Sequence, residues 1–193
     1  RDFIKLVLGP ALEKAGLSHV EIWCYDHNWS HWPFISFVKP CKYPITIYKD
    51  PEARKYIDGI AYHHYSMLGW SNPKIQLKVR KLIPDLPFYF TEGSLFGLWG
   101  ALRLSRYFKY GSSSYNGWVP MLDTEGNPNN GPFRASNSMI QRVAHFKEQF
   151  KINFEYYMYY HSSHFIKKSS NVLKDAVKRK KRGFEILAVK NPE

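Results

Sequence analysis

Four short stretches carry side chains that could do chemistry. "FYFTEG" (88–93) runs aromatic and apolar up to Thr91, then turns to Glu92 with Gly93 behind it. An unpaired buried carboxylate costs roughly several kcal/mol. A strand that ends on one is therefore either opening into a solvated turn or holding a catalytic carboxylate at the mouth of a barrel. "IWCYDHNW" closes another apolar run on Asp26. "DGIAYHHY" closes a third on His63, His64 and Tyr65, and "YNGWVPMLD" places Trp118 shortly before Asp123. Each residue also has a plain structural reading: His63 and His64 as strand caps, Trp118 as core, Asp26 as a support for a neighbouring loop. Asp123 and Glu125 flank a turn-rich "DTEGNPNNG" and read as loop residues. Asn28-Trp29-Ser30 fits the N-glycosylation pattern, but a glycan at a barrel mouth would obstruct the site, so that reading is set aside.

The elements that must position these groups alternate. Residues 2–16 carry apolar positions on a helical face, with Gly16 as the stop. Residues 19–25 read as a buried strand, and 30–49 as Pro-rich and irregular. "DPEARKYI" has Asp50 as N-cap and Pro51 at the first helical position. A short strand leads to the histidines, 73–83 form an amphipathic helix, "PFYFTEG" is a third strand, and about 95–110 form another helix. "YNGWVPMLD" reads as a fourth strand. Strands alternating with helices imply βα units and a parallel sheet. In the first three units the polar cluster falls at the C-terminal end of the strand, where α/β barrels carry their sites. Four units are half of a (β/α)8 TIM barrel, so the expected fold is α/β, with the other half preceding Arg1. After "DTEGNPNNGP" the pattern changes. Residues 150–165 read as strand-like before a turn or short helix, and 183–190 as a further strand. The expected domains are 1–150, a partial barrel (strands five to eight), and 151–193, a transition into a truncated β-rich accessory domain of β-sandwich type.

Composition narrows the classes. The chain has 193 residues, 44% of them hydrophobic, which is enough to fill a core. Aromatics reach 17%, a density that suits ordinary cores and also sites where flat rings stack on sugar faces. The net charge of +12 raises nucleic acid as a partner. The densest basic run, Lys178-Arg179-Lys180-Lys181-Arg182, has no nucleic-acid module around it and reads as a solvated loop. Cys24 lies in an apolar run and reads as core, while Cys41 lies in a loop. A disulfide is open but not implied, and the spacing is not that of a metal site. No stretch is long and apolar enough to span a membrane. The sequence opens within a helical pattern and closes within a strand pattern, as an excerpt of a longer protein would.

The pieces "RDFI…LGP", "IWCYDHNW", "DPEARKYIDGIAYHHY", "FYFTEGS", "YNGWVPMLDTEGNPNNGPF", "YYMYYHSSHFIKKSS" and "EILAVKNPE" occur in an order that resembles glycoside hydrolase family 30. This family includes the glucosylceramidases and related β-glycosidases. The stretch 30–49 departs from the glucosylceramidase pattern. The resemblance implies a retaining β-glycoside hydrolase of glucosylceramidase type, with Glu92 as the catalytic nucleophile at the end of strand seven. It implies Asp26 at the end of strand five, His63 and Tyr65 at the end of strand six, and Trp118 in strand eight as substrate-binding residues. The family's acid/base glutamate belongs to an Asn-Glu pair. None occurs in these residues, so that group is expected upstream and the 193 residues alone are expected to be inactive. The resemblance implies no cofactor and no metal, and no nucleic-acid partner. It implies a β-glycoside substrate, either glycolipid or glycan, and peripheral membrane contact through a lipid substrate. A secreted or lysosomal setting follows from it. Competing readings are a family member acting on a β-glucan or xylan, a non-catalytic barrel, and a basic nucleic-acid-binding domain.

Overall fold

The computed structural model describes residues 1–29, 42–65, 73–94, 97–131, 137–146, 148–173 and 184–193. The basic run 178–182, Cys41 and Ser30 lie outside them. The chain divides into two compact units. One is Arg1–Thr91 with Tyr110–Ser114, and the other is Glu92–Lys109 with Tyr115–Glu193.

The first unit opens with a π-helical turn, Ile4–Leu8, that runs into α1 (Gly9–Lys14). Gly16 follows in the left-handed region (φ +69°), the conformation that ends a helix. β1 (Trp23–Asn28) comes next and pairs in parallel with β2 (Gly59–His63). Between them lie α2 (Lys42–Tyr48) and α3 (Pro51–Arg54). Asp50 caps α3 as expected, its Oδ1 accepting the N–H groups of Glu52 and Ala53. Lys5 donates to its other oxygen at 2.7 Å, which ties the first helix to α3. α4 (Ile75–Leu82) precedes β3 (Phe88–Glu92), and β4 (Ser112–Tyr115) completes a four-stranded sheet in the order β1-β2-β3-β4. Sequential strands as neighbours, with helical crossovers between them, form an arc of a (β/α)8 barrel.

The core of this unit lies on one face of the sheet, where Ile60, Tyr62, Phe88 and Phe90 are completely buried. Gln76 of α4 is also completely buried, and its Nε2 donates to the Tyr110 carbonyl and to Ser112 Oγ. Arg80 donates to the Gly111 carbonyl at 2.7 Å, its guanidinium 4.4 Å from the Phe88 ring centroid. Gln76 Nε2 and Arg80 Nη2 thus find acceptors that tie α4 to the 110–112 segment, whereas Arg80 Nε, also buried, has no hydrogen-bond partner among the described residues.

In the second unit α5 (Gly97–Lys109) is followed by a three-stranded sheet in the order β5-β6-β7. Its strands are Met121–Asp123, Ile140–Arg142 and Phe150–Ile152. α6 (Phe154–Phe165) and the antiparallel pair β8 (Asn171–Val172) and β9 (Val189–Lys190) complete the unit.

Several elements differ from the sequence expectation. β1 begins at Trp23 and takes in "DHN", because parallel pairing with β2 continues through Asn28. Part of the "irregular" stretch is α2. Its Pro44 sits in the first turn, where the missing N–H has no intrahelical role. Residues 115–123 are not one strand. β4 ends at Tyr115, and the backbone N–H of Trp118 turns to the Gly93 carbonyl. Residues 150–165 are mostly helix: Phe and Tyr favour strands locally, but Glu155 and Met158 are buried at helical spacing. Of 183–190, only Val189–Lys190 is paired as a strand.

Candidate functional site

The face of β1–β3 opposite the core is built in rows. Toward the strand starts, Trp23 stacks on Tyr89 with ring centroids 3.9 Å apart. Gly59 pairs with Trp23 and lies beneath that stack; a Cβ there would stand 2.5 Å from the Tyr89 ring. Toward the strand ends the register between β1 and β2 slips. Tyr25 pairs with Ala61 and His27 with Tyr62, leaving Asp26 as the extra residue of a β-bulge. Both bulge residues have positive φ, +90° at Tyr25 and +46° at Asp26. Aspartate tolerates this region better than most residues; for the bulky Tyr25 it is strained.

The bulge redirects two side chains. Tyr25 turns to Trp29, ring centroids 5.3 Å apart, and Trp29 in turn packs on Tyr62. Asp26 turns toward the other two strands. Its Oδ1 lies 2.9 Å from His63 Nε2 and accepts the Thr91 hydroxyl at 2.7 Å. Thr91 Oγ1 also lies 3.2 Å from the Tyr62 carbonyl. The Asp26 side chain remains 62% exposed. His63 and Tyr65 meet edge to face, centroids 6.1 Å apart, and the Tyr65 N–H donates to Asn28 Oδ1 at 2.6 Å. Three of the residues singled out in the sequence, Asp26, His63 and Tyr65, are thus assembled together. Thr91 was not anticipated, although its place beside Glu92 in "TEG" was a signal.

Glu92 closes β3 and is half-buried, and Gly93 behind it is buried. The Gly93 carbonyl accepts the Trp118 N–H at 2.9 Å, and Ser94 forms a parallel bridge with Trp118. Trp118 is 51% exposed. Arg103 of α5 donates to the Ser94 carbonyl at 3.0 Å. At the start of α5, the Gly97 N–H donates to the buried carboxylate of Glu155 at 3.2 Å. A carboxylate at a helix N-terminus meets unsatisfied N–H groups and the positive end of the dipole. The segment after Glu92 is therefore braced by Trp118, Arg103 and Glu155, and sequence patterns marked only the first of these. Asp123 acts as a turn anchor. The Asn127 N–H, then burial in the opposite sense and the Glu125 N–H, leave its carboxyl below the usual range. Among the described residues no group of three or more His, Cys, Asp or Glu could hold a metal ion.

Chemically, the strand ends of the first unit offer the carboxylate of Asp26, the imidazole of His63 and the phenol of Tyr65 to a hydroxylated ligand; within the second unit, Glu92 offers a carboxylate and Trp118 an exposed indole. A model of the glycosyl hydrolase family 30 TIM-barrel domain matches residues 1–167. The Caenorhabditis elegans protein named "Putative glucosylceramidase 2" is 27% identical over 215 residues, covering 100% of this chain and 38% of its own length. The solved structure of an endo-β1,6-glucanase superposes with a TM-score of 0.81 at 26% identity, over 98% of this chain and 43% of that one. SrfJ from Salmonella typhimurium superposes with a TM-score of 0.71 at 22% identity, over 89% of this chain and 38% of that one, a likeness of fold alone. The chain spans about two fifths of the length of these relatives.

Proposed function

This chain belongs to glycoside hydrolase family 30, and from that premise we propose that the whole protein is a retaining β-glycoside hydrolase with Glu92 as its nucleophile. The observation that carries the proposal is a carboxylate that ends a strand whose preceding residue, Thr91, holds Asp26. Retaining hydrolysis uses two carboxyl groups about 5–5.5 Å apart. Glu92 attacks the anomeric carbon as the glycosidic bond breaks, giving a glycosyl-enzyme ester. The acid/base carboxyl protonates the departing oxygen, then takes a proton from the water that opens the ester. No Asn-Glu pair occurs in this sequence, so we assign the acid/base to another part of the whole protein. Asp26, His63 and Tyr65 bind sugar hydroxyls, and the exposed face of Trp118 stacks on the sugar ring. Gly93 leaves room beside the nucleophile.

The substrate proposed first is a β-glucoside with an apolar aglycone, glucosylceramide in particular, which brings the protein to a membrane surface to reach its lipid. The likeness to an endo-β1,6-glucanase supports a second reading, a β-glucan as substrate. Trapping the whole protein with a 2-fluoro glycoside and mapping the labelled peptide tests the mechanism. Label on Glu92 is expected, and label on another carboxylate overturns it. A panel of glucosylceramide, β-1,6-glucan and xylan tests the substrate; turnover of a polysaccharide alone selects the second reading.

A further inference from the structure

We propose that Thr91 is a positioning residue that fixes which oxygen of Asp26 a substrate meets, and so sets how strictly a sugar hydroxyl is read. The inference rests on the reading of Asp26 as a substrate-binding group. Among the described residues, both hydrogen bonds to the Asp26 carboxylate fall on the same oxygen. His63 Nε2 and Thr91 Oγ1 converge on Oδ1, at 2.9 and 2.7 Å. With Oδ1 taken, Oδ2 is the oxygen that receives a ligand hydroxyl, and the side chain is 62% exposed to allow it.

The Thr91 hydroxyl carries one proton and has two acceptors in reach. Asp26 Oδ1 is both nearer and charged, against the Tyr62 carbonyl at 3.2 Å, so the proton goes to the carboxylate. A β-branched side chain has few χ1 rotamers, which makes Thr91 a stiff strut from β3 to the bulge. The bulge itself needs such a strut: Asp26 sits at φ +46° on an unpaired residue, where the ladder gives it no support. Without the hydroxyl, His63 alone holds the carboxylate, which can rotate to offer either oxygen. Binding then weakens and discrimination falls, while the nucleophile is untouched.

The test compares Thr91→Val and Thr91→Ser in the whole protein, using an aryl β-glucoside and its monodeoxy analogues. Valine keeps the shape and loses the donor, and serine keeps the donor. Thr91→Val is expected to raise KM about tenfold with kcat little changed, as the loss of one charge-assisted hydrogen bond predicts. The penalty for the deoxy analogue lacking the Asp26-bound hydroxyl should shrink to a similar degree. Thr91→Ser should recover both, and Thr91→Val added to Asp26→Ala should change nothing further. The inference is overturned if serine is as impaired as valine, or if the Thr91→Val effect persists undiminished in the Asp26→Ala background. An unmoved KM in Thr91→Val, with normal 2-fluoro labelling of Glu92, overturns this inference alone. Labelling at another carboxylate overturns the functional reading and this inference together.

Discussion

Two rows of side chains on one face of the same three strands are built on opposite principles. In the row Trp23–Gly59–Tyr89, contact is made by shape: two rings stack at 3.9 Å, and the central residue has no side chain because none fits. In the row Asp26–His63–Thr91, contact is made by direction: one carboxylate oxygen accepts two donors. The first row tolerates no added atom, and the second no lost hydrogen bond. A parallel sheet can combine the two because its strand starts need only to pack, whereas its strand ends are free to carry polar groups. In the second row the residue after Thr91 is Glu92, so its geometry borders the proposed chemistry.

The comparison can be broken at several points, beginning with the largest effect. Glu92→Gln keeps the shape and removes the anion. It should lower kcat by several orders of magnitude, each tenfold being about 1.4 kcal/mol of barrier, with the thermal melt almost unmoved. If turnover stays within a few fold, Glu92 is only a structural residue. Gly59→Ala forces a Cβ to within 2.5 Å of the Tyr89 ring. Overpacking of this kind costs about 1–3 kcal/mol, which a urea titration would read. An unchanged midpoint would mean that the aromatic row yields as readily as a surface.

Asp50, outside both rows, tests whether acid lability comes from the helix ties or from the polar row. The Lys5 hydrogen bond, against some opposing burial and with help from the Ala53 N–H, holds its carboxyl below the usual range. A carboxyl depressed on folding contributes stability above its unfolded pKa and loses that contribution as pH falls through the folded value. Asp50→Asn should therefore flatten the fall of Tm on acidification, below about pH 4. A melt with the same acid limb in the variant would assign that loss to other carboxylates. The smallest effect is expected at Cys24, on the buried face of the sheet, opposite the rows. Burial pushes its thiol up to about 11, so alkylation at neutral pH should not proceed until the chain unfolds. Rapid alkylation of Cys24 in the folded protein would show that the core face opens.

The sequence was legible where local rules and tertiary structure agree. Asp50 and Pro51 announced a capped helix, and the apolar runs before Asp26, His63 and Glu92 announced strands ending on polar groups; all are present. It misled where tertiary burial overrode local preference. Tyr and Phe in 150–165 suggest a strand, yet the chain buries Glu155 and Met158 along one side of a helix. Trp118 read as a substrate-binding ring with core as the lesser alternative, because a residue type does not state its exposure. Thr91 and Glu155 went unremarked because each acts through a partner distant in sequence, 65 residues away for Thr91 and Asp26 and 58 for Glu155 and Gly97. No periodicity encodes such a pairing.

The bulge at Tyr25 and Asp26 has a consequence for how this protein can change over generations. Strand positions obey a parity rule, odd and even residues facing opposite ways, and an extra residue reverses the rule from that point onward. Without the slip, Asp26 would pair with Tyr62 and face the packed side, and Tyr25 would face the side that now carries His63 and Thr91. Point substitutions at Asp26 remove a functional group one at a time. Loss of a single codon in this stretch would instead exchange the two environments, sending a charge into the aromatic cluster of Trp29 and Tyr62. Lineages that keep the carboxylate should therefore keep the spacing from Trp23 to Asn28 fixed, even while the residues around it drift.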